Sequence, residues 1–158
     1  MIQVRWLDEN ELEAWRRLQL MHLQLTAALS RELAGASALS YQDYLVLAAL
    51  TDRPDGRMRA FELGRELGWE KSRLSHHVAR MVERGLVRRE KCETDQRGAF
   101  VIVTKQGHKA IEAAAPGHVE GVRRHFMDLL TPAELETLST VARRVLDKLA
   151  GNTAESWG

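Results

Sequence analysis

The feature that most constrains this chain is a change of hydrophobic period at Gly85. Before it, apolar residues recur at helical spacing; after it, LVRRE, KCETDQRG and AFVIVT read as strand, polar turn and strand, with β-branched Val101, Ile102 and Val103. Upstream lie two short helical stretches. MRAFELGREL carries Phe61, Leu63 and Leu67 and is broken by Gly68. A second helix starts near Glu70 and runs to Gly85, a glycine placed as a helix C′ residue. Two short helices at this spacing form a helix-turn-helix, and a β-hairpin directly behind it makes a winged helix.

Long helices flank this module. The first follows Asp8, three residues before Glu11 in a capping-box arrangement, and carries Leu12, Trp15, Leu18, Leu25, Leu29 and Leu33. Leu20 and Leu23 fall off that stripe, and so broad an apolar surface predicts burial on two sides, as at a subunit interface. A helix after Ser40 ends before the turn Arg53-Pro54-Asp55-Gly56. Thr104 caps another, which Pro116-Gly117 is expected to interrupt or kink. Thr131-Pro132-Ala133-Glu134 starts the last helix, whose stripe is Leu135, Leu138, Val141, Ala142, Val145 and Leu149. The predicted fold class is mainly α with a small β-wing.

Charge is distributed unevenly along this framework. The net charge of +1 is close to neutral, yet residues 53–98 hold twelve Lys/Arg against eight Asp/Glu. The remaining chain holds eleven basic and fourteen acidic residues, so a basic centre is joined to an acidic scaffold. Nucleic-acid binding follows the placement of charge rather than its sum. Projecting residues 70–84 at about 100° per residue puts Leu74, Val78, Met81 and Val82 toward the core. Ser72, Arg73, His76, Ala79, Arg80 and Glu83 lie opposite, with Ser75 and His77 on the flanks and Lys71 at the start. Hydroxyls, imidazole and guanidinium are the groups that reach base edges and phosphates from a helix in the major groove. Arg73, His76 and Arg80 form one row without acidic partners at i+4, which separates it from an ordinary solvated face. At the hairpin tip, Arg97 beside Gly98 suits a narrow minor groove, with Asp95 placed to orient it.

The order LGRELGWEKSRLSHHVARMVERGLVRRE…TDQRGAFVIVT resembles the MarR family of bacterial transcription regulators. The step Gly85-Leu86-Val87, the Asp95-x-Arg97-Gly98 wing and the Thr104-x-x-Gly107 helix entry carry the resemblance, and APGH with VRRHFMDLLT resembles actinobacterial members. The resemblance implies a homodimer with intertwined helices from residues 1–36 and 104–158, and a winged helix-turn-helix over 37–103. It also implies recognition of a pseudo-palindromic DNA operator, with Arg97 in the minor groove. Release by a small, phenolic effector is a further implication, for which Trp15, His22, Tyr41 and Tyr44 are the pocket candidates by position.

Other classes leave weaker traces. Cys92, the single cysteine, excludes a disulfide framework or multi-Cys zinc site. It lies near Arg88, Arg89 and Lys91, so a thiol-based redox response is one alternative, and a winged-helix module for protein partners is another. His76 and His77 point about 100° apart and cannot chelate a metal together. No nucleophile motif, Walker loop or GxGxxG occurs, and His118 or His125 with Asp128 makes no acid/base set, so neither catalysis nor a cofactor is expected. The absence of a membrane-length apolar run or signal-peptide core places the protein, by expectation, in the cytoplasm.

Overall fold

The computed structural model describes residues 3–91 and 99–152. The order is α1 (Glu9–Ala36), α2 (Tyr41–Thr51), β1 (Arg57–Arg59), α3 (Ala60–Leu67), α4 (Lys71–Glu83), β2 (Val87–Lys91), β3 (Ala99–Val103), α5 (Lys105–His125) and α6 (Pro132–Asn152). A 3-10 turn over Met127–Leu129 separates α5 from α6. The wing is a three-stranded antiparallel sheet in the order β1-β3-β2, with Met58 opposite Val101 and Val87 opposite Val103.

Local chemistry sets most boundaries. Asp8 and Glu11 form a reciprocal capping box at α1, and Thr131 and Glu134 exchange the same pair of bonds at α6. Ser40 and Asp43 do so at α2, and the Thr104 hydroxyl accepts from the Gly107 N–H at the start of α5. Gly85 turns at φ +74, a left-handed conformation that costs glycine nothing. Its N–H donates to the Val82 carbonyl while the Leu86 N–H reaches the Met81 carbonyl, which closes α4 and delivers Leu86 and Val87 to the core.

That core lies where α2, α3, α4 and the sheet meet. Val46, Leu47, Leu50, Leu63, Leu74, Val78, Met81, Val87 and Val101 are its most deeply buried apolar residues. Leu33 of α1 and Ile111 and Ala114 of α5 belong to the same cluster, so the long helices are rooted in the winged helix. Beyond that root, the N-terminal half of α1 and all of α6 leave Leu18, Leu20, Leu23, Leu135, Val141, Val145, Leu146 and Leu149 exposed in the single chain.

Three expectations are corrected. β1 was read as part of a helix, but Arg57–Arg59 pairs with β3, a three-residue edge too short to show a period of two. Of the two outcomes expected at Pro116-Gly117, interruption is corrected, since α5 runs continuously from Lys105 to His125. Val82, placed in the core by angular projection, is 39% exposed, whereas His77 turns inward. Among the described residues, no helix is long and apolar enough to cross a membrane, and no group of three or more His, Cys, Asp or Glu could hold a metal.

At Gly107 a Cβ would collide with the backbone carbonyl of Leu86 and press on Val103, whereas Gly117, in the same helix, has open space. Gly107→Ala should therefore cost about 2 kcal/mol or more through overpacking against backbone that cannot give. Gly117→Ala should gain about 0.5–1 kcal/mol of helix propensity. Urea unfolding midpoints of the two variants check both signs.

Candidate nucleic-acid interface

The outward face of α4 is built from alternating anchors and free side chains. Leu74, His77, Val78 and Met81 are buried, which leaves Lys71, Ser72, Arg73, Ser75, His76 and Arg80 exposed along the opposite side. Among the described residues, neither Arg73 nor Arg80 is ion-paired with a carboxylate. The Arg73 guanidinium lies 4.5 Å from the ring centroid of Trp69, a buried indole in the turn between α3 and α4. From β2, Arg89 donates to the Ser75 carbonyl at 2.6 Å and braces the wing against the helix. Arg57 of β1 stacks over Phe100 of β3 at 3.9 Å and pairs with Glu90 of β2 at 3.8 Å, so its charge is partly offset.

Behind this face sits Asp43, with a side chain only 2% exposed. Its Oδ2 accepts from Arg84 at 2.7 Å and from the Ser40 N–H at 2.9 Å, and its Oδ1 lies 2.9 Å from His77 Nε2. Arg84 also donates to the Ala38 carbonyl at 2.8 Å. Burial by itself pushes the Asp43 carboxyl up. The His77, Arg84 and Ser40 contacts more than reverse that and hold it well below the ordinary carboxylate range. An open concavity of about 700 Å³ lies over this network, with Trp69, Arg73, His77, Arg80 and Arg84 on its walls.

His77 was expected on the flank of the exposed face. The structure places it at 9% exposure, edge-on to Trp69 at 5.3 Å between ring centroids, with both nitrogens turned to protein groups. A ring so enclosed is not presented to a base. The remaining α4 candidates share one surface. Asp95 and Arg97, like Cys92, lie outside the described residues.

The four effector candidates divide into two pairs. Tyr44 packs at a tilt against His118 of α5, 4.4 Å between ring centroids, and Tyr41 lies 6.0 Å from the same ring, while Trp15 and His22 stand exposed on the N-terminal half of α1. Burial pushes the His118 imidazole down, and it raises the Tyr44 hydroxyl, with a smaller push from Tyr41. His118 also lines a cavity of about 320 Å³ between α1 and α5, beside Leu29, Glu32, Leu33 and Arg124. On its rim Glu32 accepts from Arg124 at 3.0 Å and lies 2.6 Å from His125 Nε2, and these two bonds hold the Glu32 carboxyl below its ordinary value.

Sequence reasoning missed Asp43, Trp69, Arg84, Arg89 and His118. The first had a visible signal, because Ser40-x-x-Asp43 is a capping box. That the oxygen bonded to the Ser40 N–H would also meet Arg84, at the end of α4, depends on a contact spanning 41 positions of sequence.

A helix-turn-helix with an exposed cationic row and a β-wing defines a DNA-binding winged-helix protein. The sequence pattern of the MarR family matches residues 39–98. The transcriptional regulator HosA of Escherichia coli is 31% identical over 135 residues, covering 85% of this chain and 96% of its own length. Among solved structures, AbsC of Streptomyces coelicolor, a MarR family regulator, is 39% identical with a TM-score of 0.84, covering 94% of this chain and 99% of its own. Sco3205 of the same organism, a MarR family regulator solved in complex with DNA, is 35% identical with a TM-score of 0.88, covering 99% and 98%. The chain belongs to the MarR family of DNA-binding transcriptional regulators.

Because the folded carboxyl of Asp43 titrates below its ordinary 3.8, acid protonates the unfolded chain first. Its stabilisation is complete above that value and is lost as pH falls toward the folded value. Asp43→Asn should cost about 3 kcal/mol at neutral pH by leaving Arg84 and His77 without their anion. The gap to the parent should narrow below about pH 4, as read by urea unfolding across a pH series.

Proposed function

We propose that the protein is a homodimeric repressor that reads a pseudo-palindromic operator and is released by a small phenolic ligand. The observation that carries the DNA-reading part is the cationic and hydroxylic row on α4, exposed on one side and fixed from behind. In this reading Ser72, Arg73, Ser75 and His76 meet bases in the major groove, Lys71 and Arg80 engage base edges or phosphate, and Arg97, oriented by Asp95, enters the minor groove. Sco3205, so similar over the whole chain and solved with DNA, supports the same docking mode.

The dimer reading rests on apolar surface. Leu18, Leu20 and Leu23 on α1 and Val141, Val145 and Leu149 on α6 are too many exposed aliphatic side chains for two helices meant for water. A second copy packing residues 1–36 and 104–158 against their equivalents covers them and sets two α4 helices side by side. For the effector, the cavity between α1 and α5 is large enough for one small ring, and Tyr41, Tyr44 and His118 cluster next to it. Trp15 and His22 take part in this reading only if dimer formation brings them there. Filling that cavity would act on α1 and α5, the helices that set the distance between the two winged modules.

Arg97→Ala should weaken binding to a selected operator sharply without changing the sedimentation mass, which should be that of two chains. Arg73→Ala and His76→Ala should each cost about 1–3 kcal/mol and relax base preference. Parent affinity should fall by about a thousandfold between roughly 50 and 200 mM salt. Fluorescence anisotropy on labelled duplex reads all of these, and unchanged binding in the three variants contradicts the reading. Repeating the titration with a panel of phenols and hydroxybenzoates tests the effector.

A further inference from the structure

We propose that His77 is a positioning residue for Arg80: a neutral, buried imidazole whose Nδ1 accepts from the Arg80 guanidinium and holds it at the DNA face. This rests on the reading above, in which Arg80 contacts DNA. Arg80 Nη2 lies 3.2 Å from His77 Nδ1. A guanidinium has five donors and no acceptor, so Nδ1 must supply the lone pair and the ring proton must sit on Nε2. That places the N–H beside Asp43 Oδ1 at 2.9 Å, off the straight line of a hydrogen bond, so the attraction there is mainly between the N–H and the carboxylate charge. The tautomer that serves Arg80 is therefore the one that Asp43 stabilises.

The groups around the ring fix its orientation. Trp69 packs edge-on from the α3–α4 turn, Asp43 closes the α2 side, and Arg73 and Arg84 are held by Trp69 and Asp43 rather than by the imidazole. Among the described residues, only Arg80 spends a donor on His77. Four of its N–H groups remain for phosphate or a guanine edge. An exposed arginine on a helix otherwise samples many rotamers, and ordering it on binding costs side-chain entropy. A buried acceptor lowers that cost before DNA arrives.

Two near-isosteric variants separate positioning from packing. In His77→Asn the amide oxygen stands where Nδ1 does, so the acceptor for Arg80 is kept and the group beside Asp43 is lost. In His77→Gln the amide nitrogen can stand where Nε2 does, so the Asp43 partner is kept and the acceptor is lost. Binding to a duplex selected from random sequence, and to a scrambled duplex, is measured for the parent, both variants, Arg80→Ala and Arg80→Ala/His77→Gln, with urea midpoints alongside.

The proposal predicts that His77→Gln loses about fivefold to tenfold in operator affinity, as expected for one disordered charged contact, while His77→Asn stays within about twofold of the parent. His77→Gln should cost nothing more once Arg80 is alanine, because two residues acting through one contact are not additive. Stability should move the other way, with His77→Asn the less stable variant. If Arg80→Ala weakens binding but His77→Gln does not, or if the Gln cost persists without Arg80, the positioning role is overturned and the DNA reading stands. If Arg80→Ala leaves operator binding unchanged, both the DNA role of Arg80 and this proposal fail. Should His77→Gln not fold, the affinity of His77→Asn decides: near parent supports the acceptor, and a loss equal to that of Arg80→Ala overturns it.

Discussion

A carboxylate buried to 2% exposure stays ionised only where the protein replaces its water, and Asp43 is replaced on every side. The Ser40 N–H, the Arg84 guanidinium and the His77 ring converge on its two oxygens from the start of α2 and from α4. Arg84 extends the same link to the Ala38 carbonyl ahead of α2. One side chain thus caps a helix and fixes the rotation of another. The rotation of α4 decides which residues face solvent, so the exposed cationic row proposed to read DNA depends on an interaction that lies behind it.

The wing and the long helices build outward from that fixed centre. Arg89 ties β2 to the backbone of α4 at Ser75. Gly107 lets α5 start against the Leu86 carbonyl at a distance that excludes any Cβ, which couples the wing root to the helix running toward the α1–α5 cavity. The near-neutral net charge is consistent with this plan: the basic surface is gathered on the winged module and the acidic surplus lies elsewhere.

Much of the architecture was legible because it rests on local rules. Capping boxes at Asp8, Ser40 and Thr131, the left-handed Gly85 and the switch from helical to strand period are all written within a few residues. What was not legible depends on partners far away in sequence. β1 has three residues and gains its identity only from β3, and Pro116 is absorbed by a helix long enough to bridge it. His77 and Val82 exchanged environments because Asp43, thirty-four positions before His77, draws the imidazole inward. The effector candidates split for a similar reason: Tyr41 and Tyr44 meet His118 of α5, a residue with no local signal, while Trp15 and His22 sit on a face that only another surface can cover.

The central claim is that two copies of this chain present two α4 helices to successive major grooves of one duplex. Selection of bound sequences from random duplex, followed by methylation interference on the recovered site, tests it most directly. The account predicts an inverted repeat whose half-sites are centred about 10 base pairs apart, with guanine N7 interference confined to the major groove of each half. Recovery of no common sequence, or of a single half-site bound by one chain, would contradict it.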